Sequence, residues 1–455
     1  IEFPIVSTIA RDGRSVLGTG IPDADADLAP LLDTIVDTIP AAGGDPDATL
    51  QALVTNLDAS DYLGRLAIGR VVQGTLRAGE QVALCHSNEE EPPLRRRISQ
   101  LMGFEHLGRI DVADRIAGDL FVVAGFPEVE IGDTLADATN PQPLPRLEVD
   151  EPVLRMTFGV NTSPLSGKDG RFVTSRQIKE RLDREVLGNV SIRIGATSSP
   201  EVIEVAGRGE LQLAVLIESM RREGYELQVS RPEVIIREID GRPHEPLERA
   251  VVDVPNEHVG TVTQAVAPRK GQVTDLRPGD TGRTVVTLTA PARGLLGFRS
   301  LLMTATRGTA LVHQHHAGWM PWVGDLPHRQ GGAMVADRLG TSTGFALDNL
   351  QKRGELFIGP NTEVYEGMII GEASRPEDMQ VNATKTKQLT NIRTHSTDEA
   401  IKLKPAREMT LELAIEWIGE DELVEITPGS IRLRKKILAE GERRRDERQR
   451  KKEAV

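Results

Sequence analysis

The sequence is poor in cysteine and has no long apolar run. Cys85 is the only cysteine among 455 residues, so no disulfide bond can form within the chain. A single cysteine fits the reducing cytoplasm, and we predict a cytoplasmic protein in which Cys85 is a small buried side chain. No apolar stretch approaches the roughly 20 residues that a membrane-spanning helix needs. The first residues also lack the basic-then-apolar pattern of a signal peptide, so no membrane partner is expected.

Aromatic residues are also scarce, at 3% of the chain. Proteins that read single-stranded RNA by stacking need aromatic side chains on their central strands. The strand predicted at Val202–Val205 has none. We therefore expect any RNA contact to involve phosphate groups and helix shape rather than stacked bases.

Motifs for nucleotide binding and catalysis are missing as well. A P-loop requires G-x-x-x-x-G-K-[ST], because its amides surround the phosphates and its hydroxyl binds magnesium. Here Thr162 occupies the position of the first glycine, and Asp169 follows Gly167-Lys168. No nucleophile–base grouping or paired-carboxylate motif appears, so no catalytic residue and no cofactor is predicted within these residues. Lys168, in a loop between a strand and a helix, is instead placed to meet a nucleic-acid phosphate.

Charge is unevenly distributed. The net charge is -13, which argues against indiscriminate binding to nucleic acid. Residues 1–50 carry nine acidic and two basic side chains, whereas residues 431–455 carry eleven basic and five acidic ones. An acidic body with local basic patches suits a factor that docks on RNA through selected contacts. A solvated, charged terminal helix explains the tail equally well.

Hydrophobic spacing divides the chain into five regions of mixed α/β structure. Residues 1–47 contain a short strand and a helix at about Leu28–Ile39, which together cannot bury their apolar faces. Residues 48–147 show alternating runs separated by glycine turns, which predict a β-barrel. Residues 148–243 and 244–324 each predict a βαββαβ, ferredoxin-like α+β unit. In the first unit, the spacing of Ile178, Leu182 and Val186 predicts a helix at about 175–187, with Thr174 and Gln177 as its capping box. In the second unit, a helix is predicted at 295–304. Residues 325–455 predict a separate, mostly-β domain with one clear helix after Thr410 and a basic tail.

Two groups of residues are candidates for RNA contact. The first group contains Lys168, Arg208 and Arg293. The two arginines lie in equivalent strand-to-helix turns, Gly207-Arg208-Gly209 and Ala292-Arg293-Gly294. For each arginine, a local structural role is an equal alternative to RNA contact. The second is a loop without carboxylates at 382–393, where an ordinary exposed loop is the alternative. Its candidates are Asn382, Lys385, Lys387, Asn391 and Arg393. A weaker basic patch follows at Arg432, Arg434, Lys435 and Lys436.

The run His313-Gln314-His315-His316 raises the hypothesis of a metal-dependent hydrolase. Strand alternation places His313 and His315 on one face, and Asp325 or His328 could supply a further ligand. No fixed spacing leads to a third ligand, so no metal site is predicted. Metal analysis of the purified protein distinguishes this hypothesis from RNA binding.

Several motifs resemble those of one family. Residues 64–82 resemble the second, β-barrel domain of translational GTPases. Similarity to the BipA/TypA family covers essentially the whole chain, and the motifs that carry it are Asn161–Lys168, Gly207–Leu211, Met220–Gly224, Gly297–Arg299, Val364–Gly367, Leu389–Asn391, Asp421–Pro428 and Ile431–Lys435. The two ferredoxin-like units would correspond to domains III and V of elongation factor G. Only Asp240–Glu248 separates them, so the domain that elongation factor G carries between them is not expected.

The resemblance implies a ribosome-associated GTPase that binds in the factor site. The family's C-terminal domain reaches toward the A-site tRNA, and the loop at 382–393 would be that element. Large-subunit rRNA and A-site tRNA are the implied partners, with roles in stress adaptation and large-subunit assembly, and the chain is expected to be a monomer.

The family's GTP-binding domain has no counterpart in these residues. Residues 1–47 are interpreted as its end, and neither a P-loop nor Asn-Lys-x-Asp is present. GTP and Mg²⁺ are implied for the full-length family only. The chain alone is expected neither to bind nor to hydrolyse GTP, and tight binding in calorimetry would contradict this. A nucleotide-independent rRNA-binding assembly or stress factor is the alternative function.

Overall fold

The structure is a computed structural model in which the chain forms two units. It describes residues 3–60, 62–86, 92–145, 151–189, 191–279, 282–326, 329, 331–386 and 402–453. One unit comprises residues 1–149 and 187–190, and the other comprises residues 150–186 and 191–455. We refer to them as the N-terminal and C-terminal units and describe each by itself.

The N-terminal unit begins with a strand pair, β1 (Val6–Ile9) and β2 (Arg14–Leu17), followed by α1 (Ala29–Thr38). The helix predicted near Leu28–Ile39 is therefore confirmed. No residue of α1 is buried, and its apolar side chains Leu32, Ile35 and Val36 are exposed. This agrees with the expectation that the strand and helix cannot cover their own apolar faces.

Ten further strands lie in the described part of the N-terminal unit. Eight of them make one antiparallel sheet in the order β7-β6-β12-β3-β4-β11-β8-β9, and β5 pairs with β10. Alternate side chains, such as Leu50, Ala52 and Val54, point into its apolar core. The strands are β3 (Gln51–Ser60), β4 (Gly64–Gln73), β5 (Thr75–Arg77), β6 (Gln81–Cys85), β7 (Leu94–Arg97), β8 (Gln100–Glu105), β9 (Gly108–Asp111), β10 (Asp114–Ile116), β11 (Leu120–Ala124) and β12 (Thr134–Asp137).

The C-terminal unit starts with a βαββαβ arrangement. Its strands lie in the order β14-β15-β13-β16, which is the ferredoxin-like order, as predicted. Thr174 and Gln177 form the expected capping box before α2, with the Gln177 side chain accepting from the Thr174 amide at 3.1 Å. The elements are β13 (Leu154–Gly159), α2 (Ser175–Gly188), β14 (Arg193–Ala196), β15 (Val202–Gly207), α3 (Glu210–Glu223) and β16 (Leu227–Ser230).

A second ferredoxin-like sheet follows, in the order β20-β21-β19-β22. The helix predicted at 295–304 is interrupted, because Gly297 adopts a left-handed conformation (φ 68°) between two short helices. The elements are β17 (Glu233–Val234), β18 (Arg237–Ile239), β19 (Arg242–Pro255), α4 (Val259–Val266), β20 (Gln272–Pro278), β21 (Arg283–Pro291), α5 (Ala292–Leu295), α6 (Phe298–Ala305) and β22 (Leu311–Pro321).

Apart from one two-stranded pair, the remaining strands continue the first ferredoxin-like sheet. Strand β29 pairs antiparallel with β16, so the first ferredoxin-like sheet continues through β29-β30-β27-β23-β28. The elements are β23 (Ala333–Ala336), β24 (Gly340–Thr341), α7 (Gly344–Leu350), β25 (Gly354–Leu356), β26 (Glu363–Val364), β27 (Met368–Ala373), β28 (Met379–Val381), α8 (Leu411–Trp417), β29 (Glu422–Ile426), β30 (Ile431–Lys435) and α9 (Glu440–Glu453). The helix predicted after Thr410 is α8, and Thr410 caps it.

Candidate nucleic-acid interface

The loop after β13 binds a carboxylate of its own chain. The amides of Gly167 and Gly170 donate to the two oxygens of Glu226 at 2.9 and 3.0 Å, and Asn161 Nδ2 donates to the same carboxylate at 2.7 Å. Glu226 is fully buried. A Cβ atom added to Gly170 would lie 2.4 Å from the Cβ of Glu226, so glycine is needed for this close approach. The amides that resemble a phosphate cradle are thus occupied by Glu226.

Lys168 projects from this loop into solvent. Its Nζ lies 2.9 Å from a carboxylate oxygen of Glu363, and the two side chains are 52% and 61% exposed. Exposed ion pairs of this kind contribute about 0–1 kcal/mol, so Glu363 can be exchanged for a phosphate group at little cost. The position suits the predicted RNA contact, which stays a prediction. Arg208 is likewise exposed, at the turn before α3.

Arg293 does not lie where the RNA-contact prediction requires. Its guanidinium pairs with the fully buried carboxylate of Glu245 at 2.5 and 3.0 Å and donates to the carbonyl of Gly324. The same group stacks 3.7 Å from the centre of the Trp322 ring. The prediction is therefore corrected, because releasing Arg293 would leave a buried carboxylate without its partner. The alternative, a local structural role, describes this residue.

The basic patch at 432–436 is also mostly internal. Arg432 pairs with the buried Glu425 at 2.8 Å, and Arg434, which is 2% exposed, donates to Thr162 at 2.7 Å and to Gln228. Both arginines lie on β30, inside the shared sheet. The RNA-contact prediction for these two residues is corrected, because loop residues and a glutamate cover the face of β30 that carries them.

Lys435 is buried among three carboxylates. Its Nζ lies 2.5, 2.8 and 2.8 Å from Asp378, Asp421 and Glu422. Burial lowers the pKa of Lys435, but the three carboxylates outweigh it and the pKa is raised overall. Lys435 is therefore a structural cation, and the prediction that it binds RNA is corrected. Lys436 alone in this run is exposed and keeps its predicted role as a candidate.

The structure describes the start of the candidate loop at 382–393. The Asn382 side chain accepts from the amide and the hydroxyl of Thr384 at 2.9 and 3.0 Å, which makes it a turn-forming residue. Lys385 is exposed. Lys387, Asn391 and Arg393 lie outside the described residues. The chain is described again from Lys402, and Lys402 and Lys404 are both exposed.

Helix α7 holds both ends of this segment. At its N-terminus, Thr343 donates its hydroxyl to the Lys385 carbonyl at 2.5 Å and its amide to the Ala383 carbonyl at 3.0 Å. At its C-terminus, Gln351 donates to the Lys402 carbonyl and accepts from the Lys404 amide, each at 3.0 Å. Sequence reasoning missed this support. Thr343, which caps α7, was a local signal that could have revealed the helix.

His313 and His315 are exposed on one face of β22, as alternation predicts. They lie opposite Val251 and Arg249 of β19. Asp325 is exposed, and His328 lies outside the described residues. Within the part of the chain that is described, no group of three or more His, Cys, Asp or Glu side chains could hold a metal ion. The same part of the chain contains no helix that is long and apolar enough to cross a membrane.

Comparison with known families matches three segments of the chain. The TypA/BipA C-terminal domain matches residues 331–440, the elongation factor G C-terminus matches residues 242–330, and elongation factor Tu domain 2 matches residues 64–136. The predicted translation-factor fold class, with a β-barrel, ferredoxin-like units and a mostly-β C-terminal region, is thereby confirmed.

Curated relatives match along nearly the whole chain. A Synechocystis protein named "Large ribosomal subunit assembly factor BipA" is 48% identical over 91% of this chain and 69% of its own length. Proteins of the same name from Escherichia coli K12 and Bacillus subtilis 168 are 45% and 42% identical over 98% and 97% of this chain, covering 73% and 72% of their own lengths. A crystal structure from Thermus thermophilus overlaps 65% of this chain and 59% of its own, at 15% identity and a TM-score of 0.43, which is too low to carry an argument.

Proposed function

Because this chain belongs to the TypA/BipA family, we propose that it is the ribosome-docking part of a BipA-like translational GTPase. In this proposal it acts in the cytoplasm as a monomer, in assembly of the large ribosomal subunit and in adaptation to stress. The observation that carries the proposal is the identity of 42–48% to proteins named as large-subunit assembly factors. GTP hydrolysis is not assigned to these 455 residues, because they contain no P-loop.

We place the main RNA contact at the two ends of the segment held by α7. Lys385, Lys402 and Lys404 are exposed there, and their backbones are fixed by Thr343 and Gln351. Cations on a fixed backbone lose less conformational freedom when they contact phosphate. Lys168, Arg208 and Lys436 are the other exposed candidates. The proposed targets are rRNA and A-site tRNA phosphates in the factor site.

Co-sedimentation with ribosomes and isolated large subunits over a range of salt concentrations tests the proposal. Changing Lys385, Lys402 and Lys404 together to Ala should weaken binding at least about tenfold and flatten its salt dependence, because each lost phosphate contact removes about 0.7–0.9 from the slope of log K against log salt. Changing Lys387 and Arg393 to Ala tests the remainder of the loop in the same way.

The matched control is Lys179→Ala on α2, a lysine that is already paired with Asp183 at 2.8 Å on the surface. It should leave both affinity and salt slope unchanged. If the parent chain does not sediment with ribosomes or subunits at low salt, the docking proposal fails. If the parent binds and the triple variant binds equally well, docking survives but this contact surface is wrong.

A further inference from the structure

A large cleft in the C-terminal unit contains two arginines that form no side-chain hydrogen bond or ion pair within the described part of the chain. The cleft has a volume of about 1160 Å³ and is bordered by the turn between α5 and α6, by α8 and by the segment after β16. Its lining includes six arginines, which are Arg155, Arg231, Arg269, Arg293, Arg329 and Arg407. A volume of this size is close to that of pockets for small molecules, about 300–1,000 Å³.

Four of the six arginines are matched by carboxylates. Arg293 pairs with Glu245 and Arg329 with Glu422, and both of these carboxylates are fully buried. Arg155 and Arg407 each lie within 3.6 Å of two glutamates. Arg231 and Arg269, by contrast, form no side-chain hydrogen bond or ion pair with any residue that the structure describes. Carboxylates attract both guanidiniums through space, Glu420 and Glu233 for Arg231 and Glu416 and Glu210 for Arg269. The hydrogen-bond donors of the two side chains are what an external partner could satisfy.

Arg231 and Arg269 are also partly removed from water. Burial lowers the pKa of both and outweighs the carboxylates that raise it, Glu420 and Glu233 for Arg231 and Glu416 and Glu210 for Arg269. Arg329 and Arg293 add a smaller lowering of the Arg231 pKa. The Nε atom of Arg269 is buried without a partner. A guanidinium in such surroundings gains strongly from an anion, since its donors match two oxygens of a phosphate at once.

Neighbouring guanidiniums give the cleft a fixed cationic wall. Arg293 stacks 3.7 Å from the centre of the Trp322 ring, and Arg329 stacks 4.0 Å from that of Trp417. Because their ion-pair partners are buried, these groups cannot turn away. Arg231 experiences both of these charges. Glu420 and Glu233 attract it more strongly but form no ion pair with it, so its donors are the ones in this wall that an anion from solution can reach.

Five carboxylates also line the cleft, namely Glu210, Glu233, Asp325, Glu416 and Glu420. Glu210 and Glu416 both act on Arg269, and Glu248 also acts on Glu210. Glu210 and Glu416 would repel an anion only when ionised. Burial, followed by the charge of Glu416, raises the pKa of Glu210 to about 7, and burial also raises the pKa of Glu416. Near neutral pH a substantial fraction of Glu210 is uncharged, and this fraction grows as the pH falls. Anion binding in the cleft should consequently be tighter at pH 6 than at pH 8.

We propose that this cleft binds a small molecule carrying two or more phosphate groups, with Arg231 and Arg269 as its phosphate contacts. The site is distinct from the loop at 382–393, and it does not depend on ribosome docking. Its size favours a small ligand over an RNA strand, which would instead follow an open cationic groove.

Isothermal titration calorimetry on the 455-residue chain at pH 6.5 tests the proposal, with inorganic pyrophosphate and ADP as probes. Arg231→Gln and Arg269→Gln should each weaken binding about tenfold or more, as loss of a charge-assisted contact predicts. Arg299→Gln is the matched control, because Arg299 is exposed on α6 and does not border the cleft.

Glu210→Gln should preserve binding at pH 8, where the parent loses it. Tryptophan fluorescence melting verifies that each variant is folded, and Arg231→Lys, which keeps the charge but not the two-oxygen contact, should bind with intermediate strength.

Each result has a defined meaning. Binding of pyrophosphate alone would assign the site to inorganic polyphosphate, and binding of ADP as well would assign it to an organic diphosphate; both support the proposal. No binding by the parent chain at millimolar probe would overturn it. Equal binding by the parent and the folded Arg231 and Arg269 variants would do the same. A short RNA that binds through these arginines while neither small probe does would also overturn it.

Discussion

Glu425 on β29 is the shared acceptor of a buried polar network. Its fully buried carboxylate accepts from Asn161 and Ser163 at 3.0 Å each, from Tyr365 at 2.6 Å and from Arg432 at 2.8 Å. Burial, together with the charge of Glu425, raises the pKa of Tyr365, so that the phenol stays protonated and donates. One side chain thus connects the loop after β13 to three strands or turns of the C-terminal region.

Glu425→Ala should destabilise the C-terminal unit by about 3–5 kcal/mol, because it removes the buried acceptor of the Ser163 and Tyr365 hydroxyls, of one Asn161 N–H and of the Arg432 guanidinium. Asn161 keeps its bond to Glu226, and Arg432 keeps only Asp169, 3.8 Å away. Urea denaturation followed by tryptophan fluorescence measures this unit selectively, since Trp319, Trp322 and Trp417 all lie in it. Glu425→Gln, which keeps one acceptor oxygen, should lose less.

Glu180→Ala is the control for this measurement. Glu180 pairs with Arg176 on the surface of α2, where the two side chains are 58% and 88% exposed. A helix-surface pair of this type contributes about 0.3–0.5 kcal/mol. Equal losses for the Glu425 and Glu180 variants would show that the network adds nothing beyond an exposed contact.

Residue roles were the least predictable level of this structure. Arg432 and Arg434 alternate with Ile431 and Leu433, a pattern typical of a strand with one solvated face. In the fold, loop residues and glutamates cover that face. Exposure of a charged side chain depends on what packs over it, and for Arg434 this is Thr162, 272 positions away. Lys168 and Lys385 lie in loops, where the sequence pattern and the observed exposure agree.

At the scale of elements, α3, α8 and the turn between α5 and α6 meet through two glutamates. The Gly297 amide donates to Glu210 at 3.2 Å, and the Ser300 hydroxyl donates to Glu416 at 2.6 Å. Gly297 has a positive φ of 68°, and a Cβ added there would lie 3.1 Å from a Glu416 oxygen. The left-handed turn favours glycine at this position, and a Cβ there would require the Glu416 side chain to shift by a few tenths of an ångström.

The pH dependence of stability should report this junction. The pKa of Glu210 is about 7 in the folded chain against 4.5 for an ordinary glutamate, because burial and then the charge of Glu416 disfavour ionisation. The folded state holds this proton more tightly than the unfolded state. The contribution of protonated Glu210 to folding stability is therefore complete below pH 4.5 and is lost as the pH rises through 7. A shift of this size corresponds to roughly 3 kcal/mol.

Glu210→Gln should flatten the decrease in stability between pH 5 and pH 8 and raise stability at pH 8, as measured by urea denaturation at each pH. Glu412→Gln, on the exposed side of α8, provides the comparison and should leave the parent profile nearly unchanged. The assignment would be contradicted if the stability of the parent rose between pH 5 and pH 8 to the same extent as the stability of the Glu210→Gln variant.

Elements formed by local signals were predicted well. The spacing of Ile178 and Leu182 with the Thr174 cap indicated α2, and Thr410 indicated α8. The helix over 295–304 was only partly right, because a glycine inside an apolar pattern signals either a packing position or a break, and the sequence alone does not decide between them. Helix α7, seven residues long, was too short for a periodic pattern to reveal.

At the scale of the molecule, the C-terminal unit is organised by one sheet shared between regions distant in sequence. Leu227–Ser230 of β16 pairs with Leu423–Ile426 of β29. Side chains of the first ferredoxin-like region and of α8 and β29 belong to a single apolar core. No local sequence pattern could predict the pairing of β16 with β29, because it joins strands from distant parts of the chain. In the sequence alone, each has the pattern of an ordinary strand of its own domain. An open ferredoxin-like edge at β16 would have exposed unpaired backbone groups, and β29 covers them.

We therefore predict that the first ferredoxin-like region and the C-terminal region open as one cooperative unit. Native-state hydrogen exchange at low urea, read by mass spectrometry, should give β13, β16, β29 and β30 a common opening free energy. Strand β20, an edge strand of the other sheet that is exposed along most of its length, serves as the internal comparison and should exchange faster. If β29 and β30 instead opened with a free energy lower than that of β13 by more than about 2 kcal/mol, the shared sheet would not be a cooperative unit. Helix α7 fixes the ends of the candidate RNA-binding segment to this sheet region. If the unit is cooperative, releasing these ends by unfolding costs the free energy of the whole unit rather than that of a small independent domain.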